Sequence, residues 1–172
     1  MKICIDAGHG GLDSGAVNGK QKEKDYALAV AKKIANKLNA LNYDVVMTRE
    51  TDIALMLQKR CDIGNLCDLF VSVHLNSAEN KNANGIETFF WKDKDKKLAT
   101  NIQNSLVKLF PNEKNRGVKK EQFYVLKNTK VPAALVELGF LSHDQTAEKF
   151  NSFSYQDKLA NAVVNGILQT MV

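Results

Sequence analysis

The sequence predicts a single α/β domain built on a largely parallel or mixed sheet. Two observations carry this. Short apolar runs alternate along the chain with amphipathic stretches, the pattern of strands joined by crossover helices. The run "AALVELGF" (133–140) is also almost continuously apolar, as a strand covered on both faces should be. At 172 residues the chain can bury one substantial core, and the expected domain spans 1–172.

The elements follow in order. "KICID" opens the fold as a strand that sets an edge of the sheet and ends in a glycine-rich loop. From Glu23 to Leu41, the residues Ala27, Val30, Ala31, Ile34, Leu38 and Leu41 recur at helical spacing. "YDVVMTR" (43–49) is β-branched and strand-like. "ALMLQKRCDIGNL" predicts a helix that Gly64 weakens near its end. "LFVSVHL" (69–75) and "GIETFFW" (85–91) are the next strands. Residues 94–110 form a helix with Leu98, Ile102, Leu106, Leu109 and Phe110 on one face. "QFYVL" (122–126) predicts a short strand, and "AALVELGF" a long one. The tail from Tyr155 to Met171 is an amphipathic helix through Leu159, Val163, Ile167 and Met171.

Composition excludes several classes. Hydrophobic residues make up 44% and charged residues 25%, ordinary for a globular chain. No apolar stretch reaches the ~20 residues of a membrane span, so no membrane insertion is expected. Three apolar residues between Lys2 and Asp6 are too few for a signal peptide, and none is expected on this chain. Cys4, Cys61 and Cys67 are odd in number and form no CxxC pair, so neither a disulfide framework nor a thiolate metal site is expected. The formal charge of +5 favours an anionic partner or simply a solvated surface. No aromatic-rich basic motif points to nucleic acid.

Sites in open α/β sheets form beyond the carboxyl ends of the strands. Four polar residues fall near such places: His9 in the loop after the first strand, Glu23 at the first helix start, His74 near the end of "LFVSVHL", and Glu137 near the end of "AALVELG". Two histidines and a carboxylate suit zinc, whose catalytic sites keep a position for water. A second carboxylate could then move protons. Each residue alone also has an ordinary explanation. A glutamate at a helix start favours the macrodipole, and a strand histidine can be a satisfied core group. Glu137 stands out, because a glutamate inside an apolar strand is costly to bury without a partner. Asp6, just before the His9 loop, is a candidate support for the ligand behind it.

Taken together, "IDAGHGGLDSGAVNG", "KEKD", "MTRETD", "VSVHLNS", "GIETFFW" and "LVELGFLS" resemble, in order and over nearly the whole chain, the motifs of the zinc-dependent N-acetylmuramoyl-L-alanine amidases of bacterial autolysins and phage endolysins. The resemblance implies a mixed six-stranded sheet flanked by helices on both faces. It implies Zn2+ held by His9, Glu23 and His74, with Glu137 as the catalytic acid/base. The implied reaction is hydrolysis of the amide between N-acetylmuramic acid and L-alanine of the peptidoglycan stem by a zinc-activated water, at the bacterial cell wall. Attraction to anionic wall polymers would fit the charge. Two positions depart from the family. His143 stands where an asparagine is usual after "GFLS", and Gly64-Asn65 replaces an alanine-asparagine pair. His143 is therefore expected at the surface or rim rather than among the ligands. The alternatives are a zinc amidase or carboxypeptidase cutting a different peptide bond, and a wall-binding module without catalysis.

Overall fold

The structure, a computed structural model, describes residues 1–171. Its elements are β1 (Lys2–Ala7), a short hairpin of β2 (Val17–Asn18) and β3 (Gln21–Lys22), α1 (Glu23–Ala40), β4 (Asp44–Met47), α2 (Leu57–Gly64), β5 (Leu69–Asn76), β6 (Ile86–Phe90), a 3-10 turn (Asp93–Asp95), α3 (Lys96–Leu109), β7 (Asn115–Lys120), α4 (Tyr124–Asn128), β8 (Ala133–Phe140), α5 (Asp144–Phe150) and α6 (Phe153–Thr170). Six strands form one sheet in the order β4-β1-β5-β8-β6-β7. The first four are mutually parallel. β6 runs antiparallel to β8 and parallel to β7, which makes the sheet mixed. β1 lies between β4 and β5 and is not an edge strand. The edges are β4 and β7, and β7, "NRGVKK", is strongly polar, as suits a strand with an unpaired side.

Helices cover both faces, but unequally. One face packs Ile3, Ile5, Val71, Val73, Val136 and Leu138 against α1, α3 and α6. The helical stripe of α1 (Ala27, Val30, Ala31, Ile34, Leu38) is fully buried there. Burying each such Leu or Ile side chain stabilises the fold by roughly 1.5–3 kcal/mol. The other face carries a smaller cluster of Cys4, Phe70, Phe89 and Leu135 under α2 and α4. Side chains alternate between faces along a strand. Asp6, Ser72, His74 and Glu137 each sit between neighbours packed on the larger core. They therefore point to the thinly covered face.

Two further expectations need correction. "QFYVL" is not a strand: Phe123 precedes the short helix α4, and its carbonyl accepts from Leu126 N and Lys127 N. The aromatic and β-branched composition was misleading because Val125 and Leu126 bury against the smaller cluster in helical conformation. The neighbouring strand is β7, "NRGVKK", whose polar composition hid it. The helix expected from residue 54 begins only at Leu57, because the preceding segment is bound to the β1 loop. The three cysteines are buried and free. No helix among the described residues is long and apolar enough to cross a membrane.

Candidate functional site

The site grows from the loop after β1. Gly8 N donates to Val73 O at 3.0 Å, which carries the loop across the end of β5 beside His74. Gly8 has no room for a side chain, since a Cβ there would lie 2.3 Å from the His74 ring. His9 then turns with φ +58°, a left-handed conformation uncommon outside glycine. Two buried arginines hold that turn. Arg49 Nε and Arg60 Nη1 both donate to the Ala7 carbonyl, Arg49 Nη2 to that of Gly8 (2.7 Å), and Arg60 Nη2 to that of His9 (2.6 Å). Three consecutive carbonyls are thereby satisfied by guanidinium groups inside the protein, where an unpaired carbonyl would be costly.

Asp6 works through this clamp and not on the His9 ring. Its Oδ1 accepts from Arg60 Nη1 at 2.7 Å and Thr48 Oγ1 at 2.6 Å, and its Oδ2 from Ser72 Oγ at 2.6 Å. The group behind the ring is Asp13, whose Oδ2 lies 2.8 Å from His9 Nδ1. Asp13 Oδ1 also accepts from Gly15 N, and a backbone bridge joins Gly10 to Asp13. This fixes His9 with Nε2 facing inward.

Glu23 reaches the same place from the first turn of α1. Its N–H donates to Ala16 O, while its Oε2 accepts from Ala16 N at 2.8 Å, so loop and helix start satisfy one another. Gly15, at φ +62°, leaves the space this needs, since a Cβ there would lie 2.5 Å from Glu23 Oε2. Glu23 Oε1 accepts from Leu75 N at 2.9 Å and lies 3.1 Å from His9 Nε2 and 3.0 Å from His74 Nδ1. One donor atom from each of His9, Glu23 and His74 falls within 4.8 Å of the others. Ligands held about 2.0–2.2 Å from one tetrahedral ion lie only about 3.4 Å apart. The three residues thus fit a divalent metal, with two imidazoles and a carboxylate as donors.

Electrostatics divides the carboxylates. Burial works to raise the proton affinity of Glu23, but hydrogen bonds and charge from His74 and His9 outweigh it and hold the carboxyl far below the usual range. Burial likewise pulls His9 down, yet Glu23 and Asp13 leave it raised. Glu137 is the opposite case. It is the register partner of His74 across β5 and β8. Its Oε2 is buried with no hydrogen-bond partner. Burial first, then the charges of Glu23 and Glu87, push its proton affinity well above the ordinary glutamate value.

Two joined hollows, of about 400 and about 390 Å³, meet at His9, His74, Phe123 and Leu135. The first runs under Met56, Leu57 and Tyr124, and the second is floored by Glu23 and Glu137. His143 is not in the cluster. It stands at the start of α5 with Nδ1 2.8 Å from Thr146 Oγ1.

Sequence reasoning missed Asp13, Arg49, Arg60 and Glu87. A signal existed for the arginines. Only three of the 24 basic residues are arginine, and Arg49 and Arg60 are nearly inaccessible while the third, Arg116, reaches the buried Glu87. Scarce arginine among abundant lysine marks places where a planar, multiply donating cation is needed. Glu87 interrupts "GIETFFW" just as Glu137 interrupts its own strand.

Comparison with known proteins matches residues 3–169 to the family described as N-acetylmuramoyl-L-alanine amidase (Amidase_3). The N-acetylmuramoyl-L-alanine amidase LytC of Bacillus subtilis is 37% identical over 95% of this chain, which spans 34% of LytC. The uncharacterized protein YqiI of the same organism is 42% identical over 96% of this chain and 82% of its own length. Among solved structures, the amidase AmiC2 of Nostoc punctiforme superposes with a TM-score of 0.95 at 35% identity, covering 99% of this chain and 97% of that one.

Proposed function

The chain belongs to the N-acetylmuramoyl-L-alanine amidase family, and from that premise we propose that it hydrolyses the amide joining N-acetylmuramic acid to L-alanine in peptidoglycan, at the bacterial cell wall, with zinc as its metal. One observation supports the chemistry above the others: Glu137, a carboxyl without a partner, lines the same hollow as the convergent donors of His9, Glu23 and His74.

His9, Glu23 and His74 would hold the metal, and Asp13 would fix the His9 tautomer. A zinc ion bound there supplies Lewis acidity, polarising the amide carbonyl and lowering the pKa of a water from 15.7 towards about 7. Glu137 takes the proton of the attacking water as general base and then delivers it to the departing amine of L-alanine. Its apolar surroundings favour the protonated form, which suits that second step. Beside a cation held by His9, Glu23 and His74 its anionic form would be favoured, which suits the first. Such acid–base assistance is worth about 10²–10⁴-fold in rate. No side-chain nucleophile is required.

The test is mass spectrometry of purified wall digests with and without chelator. New N-terminal L-alanine, produced only while metal is retained, is the expected result. New termini at another peptide bond would redirect the assignment to a different wall peptidase. Activity that survives complete metal removal would overturn the metal's role.

A further inference from the structure

The face of the sheet that bears Glu137 continues onto β6 and β7. Glu87 on β6 pairs directly with Glu137 across the antiparallel ladder, and it is only 2% exposed. Its Oε1 accepts from Asn76 Nδ2 at 2.5 Å. Its Oε2 takes two cations from the edge strand β7, Lys119 Nζ and Arg116 Nε, the latter at 3.2 Å. One cation would satisfy a buried carboxylate. Two leave a surplus positive charge. Neither is sealed away, as the side chains of Lys119 and Arg116 keep 43% and 27% of their exposure. A chain of side-chain contacts joins Lys119 to the site. Lys119 Nζ lies 5.9 Å from the Phe89 ring centroid, Phe89 packs edge-on against Phe123 at 5.0 Å, and Phe123 lines the hollow with His74 and Glu137.

Resting on the amidase reading above, we propose that Arg116 and Lys119 bind a carboxylate of the stem peptide, with Glu87 holding both cations in place. The peptide then runs from the His74–Glu137 hollow across β6 to the β7 edge. Neighbouring strands lie about 4.8 Å apart, which puts β7 about 10 Å from β8. An extended chain advances about 3.5 Å per residue, so this is the reach of the second or third residue beyond the cleaved bond. Carboxylates occur there. The second stem residue is D-glutamate, its α-carboxyl free or amidated, and the third is a diamino acid with or without a carboxylate on its side chain. Arg116 and Lys119 retain donors that Glu87 does not use, and a charge-assisted bond to a carboxylate is the strong kind.

Steady-state kinetics of the zinc-loaded protein on N-acetylmuramoyl-L-alanyl-D-glutamate and its D-isoglutamine counterpart, each extended by meso-diaminopimelate or lysine whose C-terminal α-carboxyl is amidated, test this. Lys119→Ala and Arg116→Ala are expected to raise KM about tenfold on substrates bearing the recognised carboxylate, the weight of one partly exposed charged hydrogen bond. KM on the matching substrate that lacks that carboxylate and kcat on all of them stay within about twofold. Lys119→Arg restores the lower KM. The pair of substrates that separates tells which residue supplies the carboxylate. A KM that is unchanged, or raised equally on all four substrates, overturns the subsite while leaving the amidase reading intact. Failure of the unmodified protein to cleave any of them overturns both.

Discussion

Glu23 and Glu137 line the same hollow, and their surroundings could hardly differ more. The carboxylate of Glu23 meets two backbone N–H groups and two imidazoles. Glu137 has a buried oxygen with no partner and feels only the negative charges of Glu23 and Glu87. On the proposed reading, Glu23 is therefore held as an anion fit to bind a cation, while Glu137 is poised to carry a proton. Residue type does not separate these roles. Hydrogen-bond supply and burial do.

The sharpest way to break this contrast is to remove the satisfied member. Glu23→Ala is expected to lose bound metal to background by elemental analysis, and wall hydrolysis with it. Retained stoichiometric zinc would take Glu23 out of the ligand set. Glu137→Gln should keep its metal and lose about 10²–10⁴-fold in the rate of wall hydrolysis. An unimpaired rate would remove it from the proton path.

The contrast also depends on the scaffold behind His9. Arg60→Ala leaves Asp6 as an unpaired charge in the interior, a change that costs about 3–5 kcal/mol, measured by urea denaturation of the metal-free protein. A loss below about 1 kcal/mol would show that the clamp on the loop carbonyls is not structural.

The smallest expected effect is a pH dependence. In the metal-free protein, folding raises the proton affinity of Glu137 above its unfolded value of about 4.3. Between the two values the native state keeps a proton that the unfolded chain has released, so stability falls as pH rises through that window. Glu137→Gln carries no such loss. It should melt higher than the unmodified protein at neutral pH, by about 2–4 °C for each kcal/mol relieved, with the gap closing below about pH 4. A gap that widens on acidification would mean that Glu137 is ionised in the native state.

Much of this architecture was legible in the chain. The strands β1, β4, β5, β6 and β8 and the helices α1, α3 and α6 follow from apolar runs and helical periodicity within a few residues. The segments that were not legible are those whose conformation depends on distant partners. "QFYVL" has strand composition but becomes a helix where Val125 and Leu126 meet the smaller core. "NRGVKK" is polar because it forms an edge, and polarity alone reads as loop. Residues 54–56 read as the start of a helix, yet the segment is tied down elsewhere: Asp52 is bonded to Gly11 N and Lys24 Nζ, and Leu55 O to Arg60.

By itself, the sequence determined the α/β class and the alternation that sends polar side chains to one face of each strand, and it singled out His9, Glu23, His74 and Glu137 as candidates. Only the tertiary structure decided that these four, separated by up to 128 residues of chain, share one hollow. The physical reason is register. His74 stands beside Glu137, and Glu137 beside Glu87, because the strands pair in one alignment, and a slip of one residue would turn each side chain to the opposite face. Register is set by the apolar packing of the larger core. The same packing brings Asp13, Arg49 and Arg60 to the His9 loop, and it leaves Glu137 without a partner.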